Sequence, residues 1–111
     1  MSGYIPYKGD FVILTFDPQS GHEQKGRRPA LIVSNDLFNQ HTGFAMACPI
    51  THTDRKVPFH VKIPEQLSVS GFIMVDQVKS IDYLSRQVKC IGQAPFQLLN
   101  EVLGILEACL F

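Results

Sequence analysis

Two arginines stand at the join between a polar loop and an apolar run. Arg27 and Arg28 close the segment Gly21-His22-Glu23-Gln24-Lys25-Gly26, and Pro29-Ala30-Leu31-Ile32-Val33 follows. Proline at 29 biases the residue before it toward an extended backbone, so Arg28 opens a strand and a rigid element carries its guanidinium. A fixed planar fork of donors suits a phosphate or a carboxylate. His22 and Glu23 are titratable groups of the kinds used in acid–base work. Imidazole, with an ordinary pKa of about 6.5, suits that work better than a glutamate at about 4.3, which is a poor base unless desolvated. A second polar stretch, Thr51-His52-Thr53-Asp54-Arg55-Lys56, also follows an apolar run and offers a hydroxyl, an imidazole and two cations. The alternative for the first loop is a solvated turn with a surface salt bridge from Glu23 to Lys25 or Arg27. For the second loop it is a solvated surface.

Taken with the rest of the chain, these segments resemble the MazF/PemK (Kid) family of toxin endoribonucleases from type II toxin–antitoxin systems. The motifs that carry the resemblance span nearly the whole sequence. They are Gly9-Asp10 before Phe11-Val12-Ile13-Leu14, Phe16-Asp17-Pro18, the run from Glu23-Gln24 to Arg28-Pro29-Ala30, Ser34, Pro49-Ile50-Thr51, and Val75-Asp76-Gln77-Val78-Lys79-Ser80-Ile81-Asp82. The resemblance implies an mRNA interferase: a sequence-specific, metal-independent endoribonuclease of single-stranded RNA that needs no cofactor. In that chemistry the 2′-hydroxyl attacks the adjacent phosphate. Arg28 and Thr51 align with the family's catalytic positions, and each sits where a strand meets a polar loop. Arginine stays protonated to about pH 12, so stabilising charge on the phosphorane is the main role expected of Arg28. Glu23 lies at the family's acidic loop position, as base or as the group that orients Arg28. The family pattern does not demand the histidine at 22, which stays a candidate on its chemistry alone.

The same resemblance implies that Asp76, Gln77 and Lys79 help form the RNA groove or the dimer edge. Read from the residues alone, they are equally a hydrogen-bonded strand connection, with Asp76 capping backbone amides. Lys25, Arg27, His52, Arg55 and Lys56 are candidate contacts to RNA phosphates. The family's partners follow: a second copy in a homodimer whose loops surround the substrate, and an antitoxin whose acidic, partly disordered tail competes for the basic groove.

A chain of 111 residues fits one domain, 1–111, since domains most often run roughly 100–150 residues. Hydrophobic content of 45% with only 18% charged residues calls for a packed core and excludes a disordered chain. No apolar run reaches the roughly 18 residues of a membrane span. Met1-Ser2-Gly3-Tyr4-Ile5-Pro6 lacks a basic region followed by an apolar stretch, so a cytoplasmic protein without membrane contact is expected. Cys48, Cys90 and Cys109, odd in number and set among apolar neighbours, read as buried reduced thiols. His22, His41, His52 and His60 fall at no metal-ligand spacing with them. Ten basic and ten acidic residues give a formal charge of zero, which argues against strong non-specific attraction to nucleic acid. One basic face is still built by Lys25, Arg27, Arg28, Arg55 and Lys56.

These loops need strands to hold them. Phe11 to Thr15 is β-branched and aromatic and ends at the Asp17-Pro18 turn. Residues 17–27 carry no large apolar side chain and are expected to be mobile. Ala30 to Val33 is short enough for a buried strand. Ser34, Asn35 or Asp36 caps a short helix through Gln40 that closes near Gly43. Phe44 to Ile50, the alternating Phe59 to Ile63, Gly71 to Val75 and Val88 to Ile91 complete five or six strands, with 76–80 linking them or itself pairing. Pro95 suits a first helical position, and Leu99, Val102, Leu103, Leu106 and Leu110 form one helical stripe, widened by Leu98, Ile105 and Cys109. A mainly β (α+β) fold is expected: an SH3-like, partly open antiparallel barrel with a C-terminal helix, as the resemblance also implies. Phe16, Phe38 and Phe44 sit in apolar patterns and read as core; no residue stands out as the platform for a base.

Two other functions share this fold class. A CcdB-like gyrase poison works by binding, through a C-terminal helix ending in an exposed tryptophan; this chain has no Trp and ends Ala108-Cys109-Leu110-Phe111. An SH3-like peptide-binding module needs an aromatic groove, which Tyr4, Tyr7 and Tyr83 would have to build.

Overall fold

Alternation of side chains along a strand sends successive residues to opposite faces of a sheet, and here both faces are covered. That is why the strands read as unbroken apolar runs. The structure, a computed structural model, describes residues 3–15 and 27–111. Strands β1 (Asp10–Leu14), β2 (Arg28–Ile32) and β3 (Phe44–Thr51) pair antiparallel, with Leu14 opposite Arg28 and Ala30 opposite Pro49. The far edge of β3 is shared. Its first half pairs with β6 (Lys79–Asp82), and its end pairs with β5 (Phe72–Met74), which carries β4 (His60–Lys62) on its outer side. Strand β7 (Lys89–Gln93) lies on the free edge of β1, with a bulge between Phe11 and Val12. The order β4-β5-β3-β2-β1-β7, with β6 also on β3, is a seven-stranded antiparallel sheet that curls without closing.

One face carries Phe11, Leu31, Cys48, Ile50 and Ile73, covered by Leu98 and Val102 of helix α2 (Phe96–Leu110). The other carries Val12, Leu14, Ala30, Ile32, Ala45, Ala47, Ile81 and Tyr83. The helix α1 (Asp36–Thr42) is capped by Asn35, whose side chain accepts from Phe38 N at 2.8 Å, and ends at Gly43 in the left-handed region, φ 75°. Fully buried Asn39 ties this corner together: its amide donates to Pro6 O (2.7 Å) and Ser34 O, its Oδ1 accepts from Ser34 Oγ, and its carbonyl accepts from Tyr83 Oη. A buried amide left without these partners would be costly, so the network fixes the N-terminal segment against α1. Among the described residues, no helix is long and apolar enough to cross a membrane.

Several expectations need correction. β2 opens at Arg28, as the proline at 29 predicts, and pairs there with Leu14, but it ends at Ile32, one residue short of the expected Val33. Of the two readings of 76–80, pairing holds: a 3₁₀ turn (Val75–Gln77) leads into a full strand on β3, so seven strands replace five or six. Pro95 is not the first helical residue: its ψ of 153° is extended, and the helix starts at Phe96. The stripe on α2 packs through Leu106, whereas Leu110 and Cys109 are exposed where the helix runs past the sheet. Of the three thiols only Cys48 is buried. Phe38 and Phe44 are exposed too, since α1 packs through its polar Asn39 instead of its aromatic residue. Phe16 and the expected mobile stretch, all but its last residue, lie outside the described residues.

Candidate active site

β1, β2 and β3 end at one rim of the sheet, and the register decides which side chains meet there. Ala30 faces Pro49 and Leu31 faces Cys48. Continued two residues, the same register sets Arg28, the first residue of β2, opposite Thr51, the last of β3. Thr51 in turn faces Phe72 of β5. Opposite residues of antiparallel strands project to the same face. Arg28 shares parity with Ala30 and Ile32, and Thr51 with Ala45 and Ala47, so both stand on the face turned away from α2. Pro29 has no N–H to give the ladder, in keeping with a ladder that stops at Ala30.

Thr51 is 7% exposed and its position is tightly set. Its Oγ1 accepts from Thr53 N at 3.2 Å, which turns the start of the polar loop. Gly71 packs on its backbone with φ +122°: a Cβ there would lie 2.5 Å from Thr51 O. Gly71 O also accepts from Ile63 N at 2.9 Å. Ser70 Oγ lies 3.4 Å from His52 Nε2, holding the next residue of the loop. Arg28 is half-buried at the rim.

Arg27 is built into the scaffold. Its Nη2 donates to Ile13 O at 3.1 Å and to Gln87 O, crossing the end of β1 to the turn before β7. Arg86 secures the same corner from the other side, its Nη1 donating to Thr15 O at 3.2 Å. On the second loop Arg55 is exposed, while Lys56 bonds Asp54 through its backbone N (3.0 Å) and its Nζ (3.5 Å). Those bonds, the backbone one foremost, hold the Asp54 carboxyl below its ordinary range. His22, Glu23 and Lys25 lie outside the described residues.

Asp76, Gln77 and Lys79 are exposed along the other edge of β3, where Lys79 faces Ala47, four residues back from Thr51. Asp76 Oδ1 lies 3.0 Å from Nε2 of His60, a side chain only 3% exposed whose buried Nδ1 has no partner among the described residues. Sequence reasoning placed His60 on the polar side of an alternating strand and so missed its burial. Among the described residues, no three His, Cys, Asp or Glu side chains converge to hold a metal ion. Of the three tyrosines, Tyr83 is buried, Tyr4 donates to the carboxylate of Asp10, and only Tyr7 is fully on the surface.

Comparison with known proteins places this geometry in context. Residues 7–110 match the family model of the PemK-like, MazF-like toxins of type II toxin–antitoxin systems. The endoribonuclease toxin ChpB of Escherichia coli (strain K12) is 39% identical over 109 residues, covering 91% of this chain and 90% of that protein. The endoribonuclease toxin MazF of the same strain is 38% identical over 109 residues, covering 96% and 97%. Among solved structures, MazF from Deinococcus radiodurans superposes with a TM-score of 0.86 at 44% identity, over 97% of this chain and 98% of that one. A MazE–MazF complex from the same organism gives 0.87 at 41% identity, over 96% and 97%.

Proposed function

The chain belongs to the PemK-like, MazF-like toxins of type II toxin–antitoxin systems, and on that premise we propose that it is an endoribonuclease toxin cutting single-stranded RNA, mRNA included, at short sequences without a metal ion. What supports the reading is the β2–β3 register, Ala30 opposite Pro49, which brings the Arg28 start of β2 and the Thr51 end of β3 to one rim.

In this reaction the substrate supplies the nucleophile. The 2′ oxygen loses its proton to a base and bonds to the adjacent phosphorus; the bond to the 5′ oxygen breaks, and that oxygen takes up a proton. The protein's work is to hold the phosphate and counter the negative charge that builds on its oxygens. Arg28 does so with two parallel N–H donors. The Thr51 oxygen already accepts from Thr53 N, which leaves its O–H to donate to the same phosphate. Donors fixed before the reaction need no reorganisation as the charge develops. Glu23 is the base or the group that orients Arg28, with His22 in the same loop as the other candidate. His52, Arg55 and Lys25 follow the RNA backbone, and Arg27 holds the corner from which Arg28 projects. Asp76, Gln77 and Lys79 extend the groove or meet the partner subunit.

The protein works in the cytoplasm as a homodimer. A cognate antitoxin neutralises it by laying an acidic tail in the basic groove; similarity to the toxin chain of solved MazE–MazF complexes supports that partner. The test is cleavage of a long single-stranded RNA in excess EDTA, beside Arg28→Ala and Thr51→Ala. Discrete fragments from wild type, lost in both folded variants, are expected. Intact RNA with well-folded wild type would overturn the reading.

A further inference from the structure

The row that joins Arg28 and Thr51 runs one strand further. Thr51 faces Phe72 in the β3–β5 ladder, and facing Cβ atoms of antiparallel neighbours stand about 4.5–5.5 Å apart on one side of the sheet. The parity of β5 agrees. Ile73 is fully buried in the core beneath α2, so Phe72 projects from the opposite face, the one that carries Arg28 and Thr51. Phe72 is only half-buried, and among the described residues it packs into neither of the two cores. A phenyl ring is usually spent on a core, where its large apolar surface leaves water. This one stands on the strand next to Thr51, two strands from Arg28.

We infer that Phe72 is the stacking platform for the base next to the phosphate held by Arg28 and Thr51. The inference rests on the reading of this rim as a site for single-stranded RNA. Proteins that bind single strands combine phosphate anchors with aromatic faces on which splayed bases lie. The rim supplies the anchor on β2 and β3 and the ring on β5, one strand apart. Gly71 immediately before Phe72 is fixed against Thr51 O, so ring and hydroxyl are set by the same backbone and cannot drift apart. Stacking tolerates any base, so Phe72 adds affinity for the bound strand, while the loops choose the sequence.

The chain contains no tryptophan, which makes Phe72→Trp a single fluorescent reporter at the site. The probe is a short RNA spanning a sequence the wild-type enzyme cuts, 2′-O-methylated throughout so that the nucleophile is blocked. Its binding is followed in parallel by anisotropy of a fluorescein on its end. The indole emission should be quenched to saturation with the same midpoint as the anisotropy. On cleavable RNA, Phe72→Leu keeps the apolar bulk without the ring; it should melt like wild type, keep kcat and raise KM about tenfold, while Phe72→Tyr stays close to wild type. Unchanged emission while anisotropy reports binding, or a wild-type KM in Phe72→Leu, would overturn the stacking role and leave the RNA reading intact. If wild type fails to bind the probe at all, the RNA reading itself falls, and this inference with it.

Discussion

Gly71 and Thr51 are in direct backbone contact: a methyl group at 71 would sit 2.5 Å from the Thr51 carbonyl oxygen, and the glycine holds φ +122°. Alanine there would be strained by its own dihedral and would also push the Thr51 peptide aside. Strain of this kind costs on the order of 1–3 kcal/mol, and small displacements at a reacting centre are costly in rate. Gly71→Ala should therefore lower Tm and reduce kcat about tenfold or more. Circular-dichroism melting and initial rates on one preparation check both; wild-type kcat would show that the loop absorbs the clash.

Arg28→Lys should not rescue the site. Lysine keeps the charge but not the planar fork that engages two phosphate oxygens at once. A loss approaching that of Arg28→Ala, about 10²–10³ in rate, is expected by analogy with removal of an oxyanion donor. Single-turnover cleavage measures it, and near-wild-type activity would mean that only net charge matters at this position.

Arg27 and Arg55 look alike in sequence and should behave differently. Arg27 bonds two backbone carbonyls, so Arg27→Ala should cost about 2 kcal/mol, a Tm drop of about 10 °C. Arg55 is exposed. Arg55→Ala should leave Tm unchanged and reduce the slope of log affinity for RNA against log salt by about 1, the signature of one lost phosphate contact. Equal effects of the two on both readouts would contradict the division.

The cysteines should separate cleanly. Burial pushes the Cys48 thiol up to about 12, whereas Cys90 and Cys109 are exposed. A thiol reagent at neutral pH should modify two groups in the native protein and the third only after unfolding. The same shift sets an alkaline limit. Above about pH 9 the unfolded chain gives up this proton before the folded one does, so stability falls as pH rises, by up to about 1.4 kcal/mol per pH unit. Tyr4, raised by burial and by its bond to Asp10, acts in the same direction at higher pH. Urea titrations at pH 8, 9 and 10 would show the decline, and a flat profile would argue against it.

His60 carries a buried nitrogen with no partner among the described residues, and the Asp76 carboxylate it bonds is 37% exposed and open to water. Removing a poorly satisfied polar group in favour of an apolar one of similar size is close to neutral. His60→Leu should leave Tm within a few degrees of wild type. A large drop would show that the imidazole–carboxylate bond holds the 3₁₀ turn.

Local chemistry was enough to determine a good deal about this protein. The apolar runs near Phe11–Leu14 and Ala30–Ile32, a cap among Ser34, Asn35 and Asp36, the left-handed stop at Gly43 and the apolar stripe on α2 as far as Leu106 are all governed by neighbours within a few residues, and the structure follows them. The family resemblance marked Arg28 and Thr51 by their alignment with its catalytic positions, and each also sits where a strand meets a polar loop. What the chain order could not reveal depends on contacts between distant segments. Burial of His60 against Asp76, the tie from Arg27 to Gln87 and the pressure of Gly71 on Thr51 join residues 16, 60 and 20 positions apart. The exposure of Phe38, Phe44, Cys90 and Cys109 was likewise decided by which surfaces were left over once the sheet had curled. Apolar character states that a side chain gains by leaving water, but only the packed sheet decides whether there is room for it, and strand pairing alone brought the start of β2, the end of β3 and Phe72 of β5 to one rim.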